Sequence, residues 1–463
     1  MSAIITDPFK KQLLQNVLDE VSNLTNRYYI GIGKNDQWNV DETVPTPTDT
    51  PKSIRDARTS LQSVKAVAAA SYVVPRRTWS QGAIYDAYDD TFATYPTNSY
   101  YVLTEDNQVY ICLQQSKDAN GNANVSTVKP TGTSTTQFTT ADGYTWKFLY
   151  ALSSSDASSF LSANFMPVKK VDNVFDSSDS FLLQQKNVQL AAIKGGVISI
   201  VVTDGGTNYT QGTTSVRITG NGTAYDSNGD SAAATATVVN GSITKIDVTA
   251  VGRNYDNASI VITDTGSGSG AKARAILGPP NGIGADPRDD LKSTSIMFNS
   301  KPAGNENSTF LVADNSSHGG TGSDFRQVML IRDPESSLGV VTATSKKALR
   351  FLKTSSTSSF SVDDLITNSK TPPARAFVDQ VDSNRVYFHQ NDSSGFTEFL
   401  VGDTITNGSV TATLIDAGPG AGDSSFSFEG YDITTGDILY IENRAPVIRN
   451  DNQTEDIKVV MTL

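Results

Sequence analysis

Imidazoles and thiolates are the side chains best suited to proton transfer and metal binding near neutral pH. The 463-residue chain has two histidines and one cysteine. His318 lies in the glycine-rich loop Asn315–Gly322. His389 falls in the strand-like run Val386–Gln390, where a satisfied or solvent-facing imidazole is the ordinary occupant. Cys112 alone permits neither an internal disulfide nor a multi-cysteine metal site. No G-x-S-x-G nucleophile elbow and no recognisable Cys–His pairing occur. Gly31-Ile32-Gly33-Lys34 lacks the earlier glycine and the following Ser/Thr of a phosphate-cradling loop, and Gly266–Gly270 joins two strand-like runs instead of opening a helix.

Carboxylates are more plentiful. Asp226–Asp230 and Asp118–Asn122 place oxygen ligands at alternate positions, as a calcium loop does. Ser231 and Ala123 stand where its sharp-turn glycine belongs, and Thr237 and Lys129 where its bidentate carboxylate belongs. Both segments read as hairpin turns. The pairs Asp89–Asp90, Asp289–Asp290 and Asp363–Asp364 are adjacent, so on a strand their members face opposite ways and cannot flank one glycosidic bond. No metal, no cofactor and no enzymatic activity are expected.

The elements that would hold such residues are mostly strands. Hydrophobic residues make up 37% of the chain, below the usual share, while turn-forming Gly, Ser, Thr, Asn and Asp recur throughout. That pairing predicts many short strands. A first helix starts at Asp7–Pro8, with Phe9, Leu13, Leu14, Val17, Leu18, Val21 and Leu24 on one face. A second follows Thr50–Pro51, with Ile54, Ala57, Leu61, Val64 and Val67 at helical spacing; Tyr28–Gly33 between them reads as a strand running to a loop around Trp38. From Val73 onward strands dominate, with a short helix at Asp156–Leu161.

Two internal repeats stand out. GGVISIVVTDGGTNY ends at Tyr209 and GSITKIDVTAVGRNY at Tyr255, each followed by a second strand and then by alternating alanines, at 232, 234 and 236 and at 271, 273 and 275. Such alanines leave one strand face flat for close approach. A weaker repeat pairs FSVDDLITN from Phe360 with FLVGDTITN from Phe399. The expected organisation is mainly β with a few helices: a β-sandwich core (1–189, 281–345 and 429–463) carrying two small all-β insertion domains, 190–280 and 346–428.

Net charge is −12, which disfavours general adhesion to nucleic acid or to an anionic membrane. No signal region precedes Asp7 and no stretch approaches a membrane span, so synthesis in a cytoplasm is expected. Within this acidic chain, Val73–Trp79 forms a compact cluster. Its Pro75, Arg76, Arg77 and Trp79 are residue types that serve equally as interface anchors and as internal staples. Tyr440–Ile448 reads as strand, charged turn, proline stop, strand.

At these clusters the sequence resembles a known family. VVPRRTW (73–79), DGYTWKFLYAL (142–152), DFRQVMLIRDP (324–334) and ILYIENRAPVIRNDNQTEDIKVVMTL (438–463) look like, in the same order, the dimeric baseplate wedge subunit of T-even-type contractile-tailed phages. YYIGIGKNDQW (28–38) and PTPTD (45–49) are similar to its N-terminal region. Segments 190–280 and 346–428 have no counterpart in shorter members. The resemblance implies a non-enzymatic virion component, a homodimer that binds other wedge proteins in a six-fold baseplate assembled in the host cytoplasm. The positions it transfers, as interface or core anchors, are Pro75, Arg76, Arg77, Trp79, Gly143, Tyr144, Trp146, Phe325, Arg326, Glu442, Asn443, Arg444 and Pro446. The alternative expectation is an adhesin whose β insertions bind a host-surface glycan through Tyr209, Tyr225 and Tyr255.

Overall fold

The structure, a computed structural model, describes residues 3–23, 27–41, 43–221, 231–312, 324–336, 339–341, 343–416, 426–428 and 430–463. It is mainly β: 28 strands and five helices among the described residues, in antiparallel sheets. The chain divides into two compact units, one of Met1–Lys11, Ser71–Ile296 and Thr462–Leu463, the other of Gln12–Ala70 and Met297–Met461.

In the first unit, Tyr101–Leu103, Gln108–Gln114, Thr145–Ala151 and Phe138–Thr139 form a four-stranded sheet. Its turn places Asn107 at φ 58°, a conformation asparagine tolerates. One face buries Val102, Tyr110, Cys112, Tyr144, Trp146 and Phe148 together with Val188. Val188 comes from the helix Ser180–Leu190, which Asp179 caps by accepting the Phe181 and Leu182 N–H groups.

The repeat pair builds a six-stranded sheet in this unit. Each alanine-rich strand pairs with the opening strand of the other repeat: Ala233–Val239 with Ser242–Ala250, and Lys272–Leu277 with Val197–Asp204. The two second strands, Thr214–Gly220 and Ala258–Asp264, pair along their whole length. The Gly-x-Asn-Tyr endings explain why the repeats look alike. Gly206, Asn208, Gly252 and Asn254 all adopt φ near +60°. The Tyr255 hydroxyl accepts the Ala232 N–H at 3.1 Å, and the Tyr209 hydroxyl accepts the Ala271 N–H at 3.3 Å. Both tyrosines are buried.

The second unit has a five-stranded sheet ordered Ser345–Lys347, Leu61–Ala66, Tyr28–Gly33, Asp324–Arg332, Asp437–Ile448. Its central strand Tyr28–Gly33 is buried along its full length. The expected second helix is shorter than its apolar spacing implied. It spans Pro51–Thr59, and Leu61–Ala66 is a strand whose residues are nearly all buried, so no period-two signal marks it. The expected turn and proline stop near the C-terminus are also corrected. Asp437–Ile448 is one strand in which Arg444, Ala445 and Pro446 lie opposite Arg326 alone. Such a bulge is where a strand accommodates proline.

Six strands of a second sheet in this unit run Arg385–His389, Arg375–Asp382, Leu365–Asn368, Thr404–Thr406, Thr411–Ile415, Arg350–Thr354. The last pairs back to the first, with Phe426–Phe428 added alongside. The ring closes over Phe360, Ile366, Val378, Phe388, Phe399, Ile405 and Leu414. The paired strands Leu365–Asn368 and Thr404–Thr406 come from the two copies of the weaker repeat.

The helix Asp7–Asn23 departs from its expected packing. Thr6 precedes its first turn and its carbonyl accepts the Phe9 and Lys10 N–H groups, and of the apolar stripe only Leu14 is buried. Phe9 stays 55% exposed and Leu13 42%; Leu24 lies outside the described residues. The amphipathic pattern is real, but the chain itself covers only part of the face it defines.

Candidate functional site

A constellation of buried and half-buried titratable groups lies in the second unit, around His389. Strand Arg375–Asp382 runs beside Arg385–His389 and slips register between Val378 and Gln380, leaving Asp379 as the unpaired bulge residue. The bulge lets Val378 and Asp379 both be buried, where strict alternation would expose one. Asp379 Oδ1 meets His389 Nδ1 at 2.8 Å and accepts the Asn35 side-chain amide at 2.9 Å. On the other side of the ring, Nε2 meets Asp36 Oδ1 at 2.9 Å. Asp36 also receives the Asn391 amide at 2.9 Å and Lys34 Nζ at 3.3 Å. Phe377 stacks on the imidazole at 5.6 Å.

Each ring nitrogen thus faces a carboxylate oxygen, which when ionised only accepts, so both nitrogens must donate and the ring is an imidazolium. Burial opposes that charge, but the negative charge of Asp379 and the bonds to Asp36 and Asp379 outweigh it and raise the pKa to about 10. Burial also works against ionised Asp36, yet its bonds to His389 and Asn391 hold it well below the usual carboxylate range. An imidazolium so held is a poor proton shuttle at neutral pH, because a general base works best with a pKa near the operating pH. The arrangement is a charged clasp that fixes the segment after Tyr28–Gly33 against the ring of strands.

A cleft of about 720 Å³ opens beside the clasp. One wall is Lys34–Asn39 and Pro45–Thr48; the other is Phe377 and the turn Gln390–Phe396. Trp38 is fixed in the first wall: its indole N–H donates to the Arg444 carbonyl at 3.0 Å and its backbone N–H to Asp41 at 2.9 Å. Buried Arg326 holds the same segment. It grips both Asp41 oxygens at 2.9 Å, donates to the Asn35 carbonyl at 2.6 Å and pairs with Asp324 at 2.8 Å. Asn443 bridges Gln327 and the Pro45 carbonyl, at 2.8 and 2.9 Å.

The structure therefore gathers Arg326, Asn443 and the Arg444 backbone around one loop. Phe325 is buried beside them in sequence, Glu442 accepts from the Tyr440 hydroxyl at 3.0 Å, and Pro446 is exposed in its bulge. The other positions lie in the first unit. Pro75 pairs with Phe165 and its carbonyl accepts from the Tyr101 hydroxyl at 2.7 Å. Arg76 donates to the Ser162 carbonyl at 3.1 Å, whereas Arg77 is exposed. Trp79 packs on the aromatic core and donates to Ser126 at 3.2 Å. The Tyr144 hydroxyl donates to the Asn124 carbonyl at 2.6 Å, and Trp146 stacks on Tyr144.

Other candidates resolve into structural contacts. Asp89 and Asp90 share Arg274, at 2.6 and 2.7 Å. Asp289 pairs with Lys11, while Asp290 is fully buried and burial pushes its carboxyl well above the ordinary range. Asp118 accepts the Asn120 and Asn122 N–H groups of its own turn. His318, Tyr225 and Asp226–Asp230 lie outside the described residues. Tyr209 and Tyr255, expected on exposed loops, are instead buried pins of the repeat sheet. Asp36 and Asp379 escaped sequence reasoning altogether, and no local spacing links them to His389. Among the described residues no group of three or more His, Cys, Asp or Glu could hold a metal ion, and no helix is long and apolar enough to cross a membrane. No protein-family model and no curated protein sequence matches the chain.

Proposed function

We propose that the chain is a structural component of a phage tail baseplate wedge, a homodimer that binds other wedge proteins to build the six-fold baseplate of a contractile tail. The observation that carries this reading is the ordered set of sequence blocks at 73–79, 142–152, 324–334 and 438–463, spread over both units. In this reading the five-stranded sheet belongs to a β-sandwich core, and the six- and seven-stranded sheets are the insertions at 190–280 and 346–428. The role is mechanical, not enzymatic, and is exercised in the virion after assembly in the host cytoplasm.

Two features support it. Arg326 and Asp324 of the blocks are paired within the chain, and Arg326 also grips Asp41, as suits a part that must keep its shape under load. Phe9 and Leu13 also leave an apolar helix face open, and a subunit in an assembly has neighbours to cover such a face. Light scattering on the purified protein at micromolar concentration tests the self-association: the dimer mass is expected, and a monomer contradicts it.

A further inference from the structure

The cleft of the second unit has the chemistry of a binding site that the assembly role does not use. Its volume of about 720 Å³ is that of a small-ligand cleft. Two aromatic side chains border it: Trp38, half-buried, fixed by its bonds to Arg444 and Asp41 and carrying Lys34 Nζ over its ring at 5.4 Å, and Phe396, 49% exposed. Trp38 therefore has little freedom left to lose when a ligand stacks on it.

The charges around the cleft are already matched. Lys34 pairs with Asp36, and Asp36 with His389. On the rim, Lys52 Nζ bridges Asp56 and Asp392, at 2.8 and 2.9 Å. A phosphate or another strong anion would meet no uncommitted cation among these groups, and a strongly basic ligand would have to break existing pairs. Ionised carboxylates still have spare lone pairs for hydroxyl donors, since each has about four acceptor positions. Flat aromatic faces beside carboxylate acceptors suit a ligand with apolar C–H faces and a rim of hydroxyls.

We propose that this cleft binds a neutral oligosaccharide, its rings stacked on Trp38 and Phe396 and its hydroxyls donating to Asp56 and Asp392. The site is distinct from the insertion tyrosines, and the inference does not rest on the baseplate reading. A monomer that binds sugar would support the cleft and contradict the wedge.

The test uses the full chain with maltotriose, cellotriose and tri-N-acetylchitotriose, followed by tryptophan fluorescence and saturation-transfer NMR. At least one sugar should bind saturably, and Phe396→Ala should weaken it by about tenfold or more, as for loss of a central aromatic contact. Asp392→Asn, at an exposed carboxylate, should weaken binding with the melting temperature unchanged, which separates the site from the fold. Three results overturn the proposal. One is no saturable binding of any of the three up to about 10 mM, tenfold above a millimolar dissociation constant. Another is binding that both variants retain. The third is a proline-rich peptide, but none of the sugars, binding in a Phe396-dependent way.

Discussion

Replacing His389 by glutamine removes the cation between Asp36 and Asp379 while keeping a side chain of similar reach. The folded pKa of about 10 stands above the ordinary 6.5. At about 1.4 kcal/mol per unit, the difference is worth about 5 kcal/mol to the folded state where the ring is charged in both states. A raised pKa gives stability that is fully present below pH 6.5 and is lost as pH climbs through about 10. Removing one member of a buried ion group leaves the others uncompensated, so His389→Gln should cost about 3–5 kcal/mol at pH ~6. Urea unfolding of both proteins across the range checks this. The gap between them should narrow steadily from about pH 6.5 to about 10 and then level off, because over that range only the folded parent protein keeps the extra proton. A gap below about 1 kcal/mol at pH ~6, or one that stays constant up to high pH, would refute a charged clasp.

Arg326→Met removes both bonds to Asp41 and the donor to the Asn35 carbonyl. It should cost about 3–5 kcal/mol in urea unfolding and shift Trp38 emission to the red as its wall loosens. Gly252→Ala forces a Cβ to within 2.5 Å of the Ala232 nitrogen at φ +60°, whereas Gly82→Ala, also at positive φ, meets nothing within 4 Å. Calorimetry should show the first costing well over 1 kcal/mol and more than the second. Tyr255→Phe leaves the buried Ala232 N–H without its acceptor and should cost about 1–3 kcal/mol in the same assay. Arg274→Gln cuts a partly exposed pair of ionic contacts and should cost about 1 kcal/mol at most, with the loss shrinking in high salt.

What was legible in the sequence follows from which forces are local. The repeats could be read because a Gly-x-Asn-Tyr ending needs positive φ and so restricts residue type at two fixed places. The strand Leu61–Ala66 could not, since a strand covered on both faces loses its alternation, and its apolar spacing continued that of the preceding helix. The helix Ser180–Leu190 was missed because its apolar residues do not form one stripe: Phe181, Leu183 and Leu190 are exposed while Val188 is buried. Arg326 was marked, but residue type alone does not separate an internal staple from an interface anchor; burial and its bonds to Asp41 do. The His389 clasp was invisible. It needs a bulge to turn Asp379 inward and a loop to bring in Asp36, and neither leaves a mark in local spacing.

An assembly part is defined by what it joins, so co-assembly decides whether this chain is one. The purified protein is mixed with the products of the genes beside its own, and the native mass of what forms is measured. A homodimer that enters a larger, stoichiometric complex with at least one of them is expected. A chain that stays monomeric and joins none would contradict it.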